Sequence, residues 1–223
     1  MQIMRSLILL SFLLSLLLFS QDLPDSWSQS YGTYDIGIVY TSVAYSLGFA
    51  LNNYCIYCHN GDTIAYDERR FDIFARLGVF KKTEMEIKYS YPTCGVVAIK
   101  YQFLEDYIDA ALKLGFGYMK GTRAGLITDY VYDFYPTLIF SKNLYKSGMF
   151  YFAPKIIYSI HTRDRQEHSD RTPRHIFQYG FGIGFALGNN FVVFPETNWL
   201  WGNNEGLKYT VNQFGIGVNL KIR

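Results

Sequence analysis

The chain is short of proline and cysteine, with six and three in 223 residues, and it lacks an excess of either charge, with 21 Lys and Arg against 19 Asp and Glu. Balanced charge argues against a nucleic-acid partner, whose binding surface needs a basic excess to meet phosphate. No P-loop, no GxGxxG opening a helix and no HExxH is found. Beyond residue 20 no segment reaches 18 consecutive apolar residues, so no membrane-spanning helix is predicted there. Helical periodicity is almost absent. Disorder is excluded as well, because 49% of the residues are apolar. What the chain has in quantity is aromatic residues: 20 Tyr, 18 Phe and 3 Trp make 18%, beside 19 Gly. Soluble globular domains rarely combine these.

Residues 1–20 read MQIMRSLILLSFLLSLLLFS. Arg5 precedes an apolar run over 7–19 that ends at Ser20. The run falls short of the ~20 residues that a spanning helix needs. It has the charged and apolar regions of a secretory signal peptide. No Cys stands near the predicted cut, so no lipoprotein signal is present. Residues 21–33 form a short polar arm of the mature chain.

From residue 34 onward the pattern has period two, segment after segment. Glu84, Glu86, Lys88 and Ser90 alternate with Met85, Ile87, Tyr89 and Tyr91. Gln178, Gly180, Gly182 and Gly184 alternate with Phe177, Tyr179, Phe181, Ile183 and Phe185, and Gln213, Gly215 and Gly217 with Phe214, Ile216 and Val218. One face is large and apolar; the other is glycine, small, polar or charged. A soluble sandwich would seldom put so much glycine on its water-facing side, since glycine weakens a strand. A membrane barrel inverts the sense, with apolar groups toward lipid and polar groups toward the lumen. Together with the export signal, the inverted sense predicts an all-β, up-and-down antiparallel transmembrane β-barrel over 34–223.

Ten strands are predicted, at 34–50, 69–80, 83–91, 95–104, 109–120, 129–141, 148–161, 174–188, 191–201 and 208–222, with eight as the alternative should one outer hairpin fold separately. Each is close to or longer than the ~9–11 residues a tilted spanning strand requires. Tight turns at 81–82, 105–108, 143–147 and 188–190 alternate with mostly longer, more polar links at 52–68, 92–94, 121–128, 162–173 and 202–207. Short periplasmic turns alternating with longer outer loops are characteristic of such barrels.

On this pattern the chain resembles the small outer-membrane β-barrel proteins of Gram-negative bacteria, the OmpA/OmpX type in the broad sense. Its last segment, VNQFGIGVNLKIR, looks like the terminal strand such proteins present to their assembly machinery, although it ends in Ile222-Arg223 and not in an aromatic residue. The resemblance implies an outer-membrane location, contact with membrane lipid and lipopolysaccharide, and engagement of the outer-membrane assembly machinery.

Carrying the alternation across the strands points ten charges inward: Arg76, Lys88, Lys100, Lys113 and Lys155 against Asp72, Glu84, Glu86, Asp133 and Glu196. Unpaired charge in a low-dielectric wall is costly, so pairing across strands is expected. Barrels of about eight strands are just wide enough for side chains to fill them. A structural or surface-interaction barrel with a filled, charge-paired lumen is therefore expected. A narrow porin-like channel for small polar solutes, lined by Lys100, Lys113, Glu84, Glu86 and Asp133, is the alternative. Tyr130, Tyr132, Tyr151, Tyr158, Trp199 and Trp201 are expected to form interfacial girdles.

Two local signals stand apart. Cys55-Ile56-Tyr57-Cys58-His59 has the C-x-x-C-H spacing of c-type haem attachment, in which His59 would be the proximal iron ligand and His161, His168 or His175 a distal one. The same residues could hold a loop disulfide, with Cys94 as partner of Cys55 or Cys58, or a zinc ion with His168, or could be free thiols. The link at 162–173 is rich in charge. Its arginines, Arg163, Arg165 and Arg171, with the nearby Arg174, suit phosphate groups of lipopolysaccharide or simply solvate a loop. His168, Ser169 and Asp170 are the residue types of a hydrolase triad, but three consecutive positions cannot form the relay. Neither an enzyme nor a resident cofactor is expected; a haem-bearing or loop-site enzyme barrel remains as the weaker alternative.

Overall fold

The computed structural model describes residues 45–58, 65–80, 82–91, 94–123, 127–145, 147–165, 173–204 and 207–222. The predicted signal peptide, the arm at 21–33, His59, His168 and Arg171 lie outside them. The strands are β1 (Tyr45–Cys58), β2 (Ala65–Phe80), β3 (Thr83–Tyr91), β4 (Cys94–Leu104), β5 (Asp109–Arg123), β6 (Ile127–Tyr145), β7 (Gly148–Arg165), β8 (Arg174–Leu187), β9 (Phe191–Asn204) and β10 (Leu207–Ile222). Each pairs antiparallel with its sequence neighbours, and β1 pairs with β10 from Tyr45↔Ile222 to Cys58↔Tyr209, so the sheet closes into a barrel with no free edge strand. The ten-strand expectation holds, and the eight-strand alternative does not.

Nine of the predicted strands coincide with observed ones to within a few residues. The first is displaced: β1 begins at Tyr45, and it runs past residue 50 to Cys58. Alternation is clear in its lower part, where Ser46 and Ala50 are buried and Leu47, Phe49 and Leu51 are exposed. In its upper part the sequence Asn52–Cys58 shows no apolar–polar alternation. Backbone pairing with β2 and β10 carries the strand there.

The barrel inverts the sense of a soluble core. Large apolar side chains such as Phe49, Phe116, Phe134, Tyr179 and Phe214 are exposed on the outside, and charged and amide groups are buried within. This is the arrangement of a membrane-spanning barrel. Among the described residues no helix is long and apolar enough to cross a membrane. The tight turns gather at one end. At 82 the turn takes a positive φ of 67° at Lys82, and the β8–β9 turn takes φ 118° at Gly188, where a Cβ would sit 2.0 Å from the Phe191 carbonyl oxygen. Neighbouring turns are tied by Gln102 N–H donating to the Lys82 carbonyl (2.8 Å) and Gly188 N–H to that of Ser147 (2.7 Å).

Inward glycines are explained by their cross-strand partners. Gly48 faces Phe74, Gly115 faces Tyr135, Gly184 faces Tyr151, Gly202 faces Tyr209 and Gly217 faces Phe194. In each pair the aromatic ring lies over the glycine, so that a Cβ added there would come within 2.0–2.3 Å of the ring. The missing side chain on one strand makes the space that the ring on the next strand fills, so ring and glycine pack closely in the lumen.

Candidate functional site

All ten charges assigned inward by alternation lie inside the barrel, each at most 6% exposed. Seven of them lie on β2–β5, where ion pairs join Arg76, Glu84, Glu86, Lys100 and Lys113 into one group. Glu86 accepts from Arg76 Nε at 2.8 Å and from Lys113 Nζ at 3.0 Å. Glu84 accepts from Lys100 Nζ at 2.8 Å and stands 3.7 Å from Arg76 Nε. Asp72 accepts from Ser90 Oγ at 2.6 Å and lies 3.9 Å from Lys88 Nζ. Register explains two of these contacts: Arg76 is paired with Glu86, and Glu84 with Lys100, so both span directly opposed positions, while Lys113 on β5 reaches Glu86 across β4.

The remaining three charges sit on β6–β9 in an amide-rich setting. Lys155 Nζ donates to Asn198 Oδ1 (2.8 Å), and Asn198 Nδ2 donates to Glu196 Oε1 (2.7 Å) and Gln213 Oε1 (3.2 Å). Tyr151 Oη donates to Glu196 Oε2 at 2.7 Å, and Ser159 Oγ donates to Asp133. The balance is therefore uneven across the lumen. Of these ten charges, four cations face three carboxylates on β2–β5, and one cation faces two carboxylates on β6–β9.

An apolar layer lies beside this polar one. Val96, Met119, Val131, Tyr135, Ile157, Ile176, Leu200, Tyr209 and Val211 form one buried cluster contributed by every strand from β4 to β10. On β4, β5, β7 and β9 its members Val96, Met119, Ile157 and Leu200 lie farther from the tight turns than Lys100, Lys113, Lys155 and Glu196 of the same strands. A second cluster, Ala50, Phe74, Ala186, Val192 and Phe194, fills the β1–β2 and β8–β9 side.

Alternation put Gln178 on the inward face, but sequence reasoning did not single out other uncharged lumen residues such as Tyr209 and Asn198. Tyr151 corrects an expectation outright. It is fully buried, with its ring over Gly184, and it takes no part in a girdle. Its parity matches that of Lys155 on the same strand, and that signal was available. Tyr132, Tyr158 and Trp201 are exposed on the outer wall.

The cysteines lie on strands. Cys55 is paired with Asp67 and Asn212, and Cys94 with Ser90 and Met119. Three strand spacings separate β1 from β4, about 14 Å. Cys55 and Cys58, three residues apart on one strand, are ~10 Å apart. Both spans exceed the ~4.4–6.8 Å between Cα atoms that a disulfide allows. The disulfides considered from the sequence are thus out of reach, and the haem and zinc sets depend on His59 or His168, outside the described residues. His161 is buried, while His175 stacks on Tyr158 with a 2.6 Å hydrogen bond between Tyr158 Oη and His175 Nδ1. Arg163 and Arg165 fall on β7, and Arg174 opens β8 and is exposed, so these three mark the end of the barrel opposite the tight turns.

No protein-family model and no curated protein matches the chain. Among solved structures it is similar to Neisserial surface protein A (10% identity, TM-score 0.46, 80% of this chain and 97% of that one). It is also similar to Ail, the attachment invasion locus protein of Yersinia pestis (11% identity, TM-score 0.41, 80% and 99%). A third likeness is to the N-terminal β-barrel domain of Pseudomonas aeruginosa OprF (9% identity, TM-score 0.25, 78% and 97%). These are outer-membrane β-barrels, and the likeness is one of fold.

Proposed function

We propose that the chain is a non-enzymatic outer-membrane barrel of structural and surface-interaction type, with a lumen closed by its own side chains. The observation that carries this reading is the apolar cluster joining β4 to β10 beside the ion-paired layer. A solute crossing the barrel would have to displace both. A hydrated channel needs polar groups free to replace a solute's water, whereas here the carboxylates of Glu84 and Glu86 are already held by Lys100, Lys113 and Arg76. The outward apolar band supports a bilayer location, and the export signal supports the outer membrane.

The test is conductance of the refolded protein in a planar bilayer, with insertion checked by heat-modifiable migration on a gel. The parent protein and Lys113→Gln are both expected to be silent. The triple variant Tyr135→Ala/Leu200→Ala/Tyr209→Ala, which removes the centre of the apolar layer, is expected to open steady conductance. Steady openings in the parent, altered by Lys113→Gln, would establish the channel alternative and overturn this reading.

The surface role is assigned to the end carrying Arg163, Arg165 and Arg174, where guanidinium forks suit lipopolysaccharide phosphate. In vesicles containing lipopolysaccharide, the triple Arg→Gln variant is expected to lose most of the gain in unfolding temperature that the parent shows over phosphatidylcholine vesicles. Equal gains in the two proteins would remove lipopolysaccharide from the proposal.

A further inference from the structure

The outer wall carries a groove of about 560 Å³ over the β6–β7 seam, within the ~300–1,000 Å³ of ligand sites. Its low ground is made by two prolines in mid-strand, Pro136 on β6 and Pro154 on β7. Both are partly exposed on the outer face, since Tyr135, Thr137, Ala153 and Lys155 beside them are buried. Leu138 and Ile156 line it, and Phe181 and Trp201 build an aromatic flank, their rings 5.9 Å apart.

Proline has no N–H to give to a ladder, so it is rare inside a sheet and rarer where no water can compensate. The effect is local. Leu114↔Pro136 and Pro154↔Phe181 remain in register on the far sides of the two strands. Between β6 and β7 the pairing keeps Phe134↔Tyr158, Thr137↔Lys155 and Phe140↔Phe152, and it lapses at the positions between them. The interruption and the groove coincide.

We propose that this seam is a binding site for one acyl chain of a bilayer lipid, laid along the wall between the aromatic flank and Leu138. The inference rests on the reading that the outer face meets a bilayer. There, the molecules available to the groove are lipids, and its lining is mostly apolar and aromatic, with the buried Thr137 and Lys155 beneath it. A chain seated in the groove recovers dispersion contacts that a flat wall would make with many lipids in passing. The two low prolines between larger neighbours give the groove its depth.

The experiment is native mass spectrometry of the detergent-refolded protein titrated with palmitoyl-oleoyl phosphatidylglycerol. One lipid per barrel is expected to be retained at low lipid ratios, and retention is expected to fall at least tenfold in Leu138→Phe/Ile156→Phe, which fills the groove from exposed positions. Val97→Phe/Ile99→Phe, at exposed positions of β4 outside the groove, is the folding and specificity control and should retain the lipid like the parent. A statistical ladder of adducts that is the same in all three proteins overturns the site while leaving the membrane reading intact. Failure of the parent to insert into detergent or lipid, shown by unchanged gel migration, overturns both.

Discussion

Replacing Glu86 by leucine is expected to cost about 3–5 kcal/mol of stability, the range for removing one partner from a buried ion pair. Glu86 is the carboxylate that two cations share, Arg76 at 2.8 Å and Lys113 at 3.0 Å, in a part of the lumen closed to solvent. Its loss leaves the four buried cations Arg76, Lys88, Lys100 and Lys113 facing two buried carboxylates, Asp72 and Glu84. The companion experiment separates charge from packing. Glu86→Leu combined with Lys113→Leu and Arg76→Met removes both the carboxylate and its partners, and most of the loss should return, because buried ion pairs replaced as a set by apolar groups are often neutral. Urea unfolding from lipid vesicles, followed by tryptophan fluorescence and gel migration, reads both variants. A Glu86→Leu protein within about 0.5 kcal/mol of the parent, the range of ordinary surface substitutions, would show that the group is hydrated and its ions independent.

Valine in place of Gly184 is expected to destabilise by roughly 2–4 kcal/mol, since overpacking and a broken buried hydrogen bond act together. A Cβ at Gly184 would stand 2.2 Å from the Tyr151 ring and hydroxyl. The ring has to leave, and with it goes the 2.7 Å bond from Tyr151 to Glu196. If the glycine exists to make room for that ring, Tyr151→Ala should cost less in the Gly184→Val background than in the parent. A coupling of at least ~1 kcal/mol in the double-mutant cycle is the expected result. Strict additivity would mean that the ring and the glycine are neighbours without being complementary.

Much of this architecture was legible before any coordinates. Period-two alternation located the strands because a wall with lipid on one side and a packed lumen on the other sorts side chains at every residue. The same parity placed Arg76, Glu86 and Lys113 inward. It failed at Tyr151, where the habit of sending aromatic residues outward overrode the count from Lys155. It also failed at the upper part of β1, because the sequence from Asn52 to Cys58 carries no apolar–polar alternation. Other features had no signature in one dimension. That Gly184 stands opposite Tyr151, or that Pro136 and Pro154 interrupt the same strand pair, depends on register, which is a property of two strands and not of either sequence. The C-x-x-C-H spacing was conspicuous, yet strand geometry holds the Cα atoms of Cys55, Cys58 and Cys94 too far apart for the disulfides considered.

Closure of the sheet by β1 and β10 has a consequence for how the chain reaches this structure. Every other strand pair joins sequence neighbours across a turn or link, so the loops closed at those steps are short and their entropic cost is low. The pairing from Tyr45↔Ile222 to Cys58↔Tyr209 alone brings the first and last strands together. Hairpins can therefore form in succession as an open, curling ribbon, and completion waits on one long-range event. Until then both terminal strands present unsatisfied backbone edges, so a chain cut short before β10 has nothing to seal it and remains a template for aggregation.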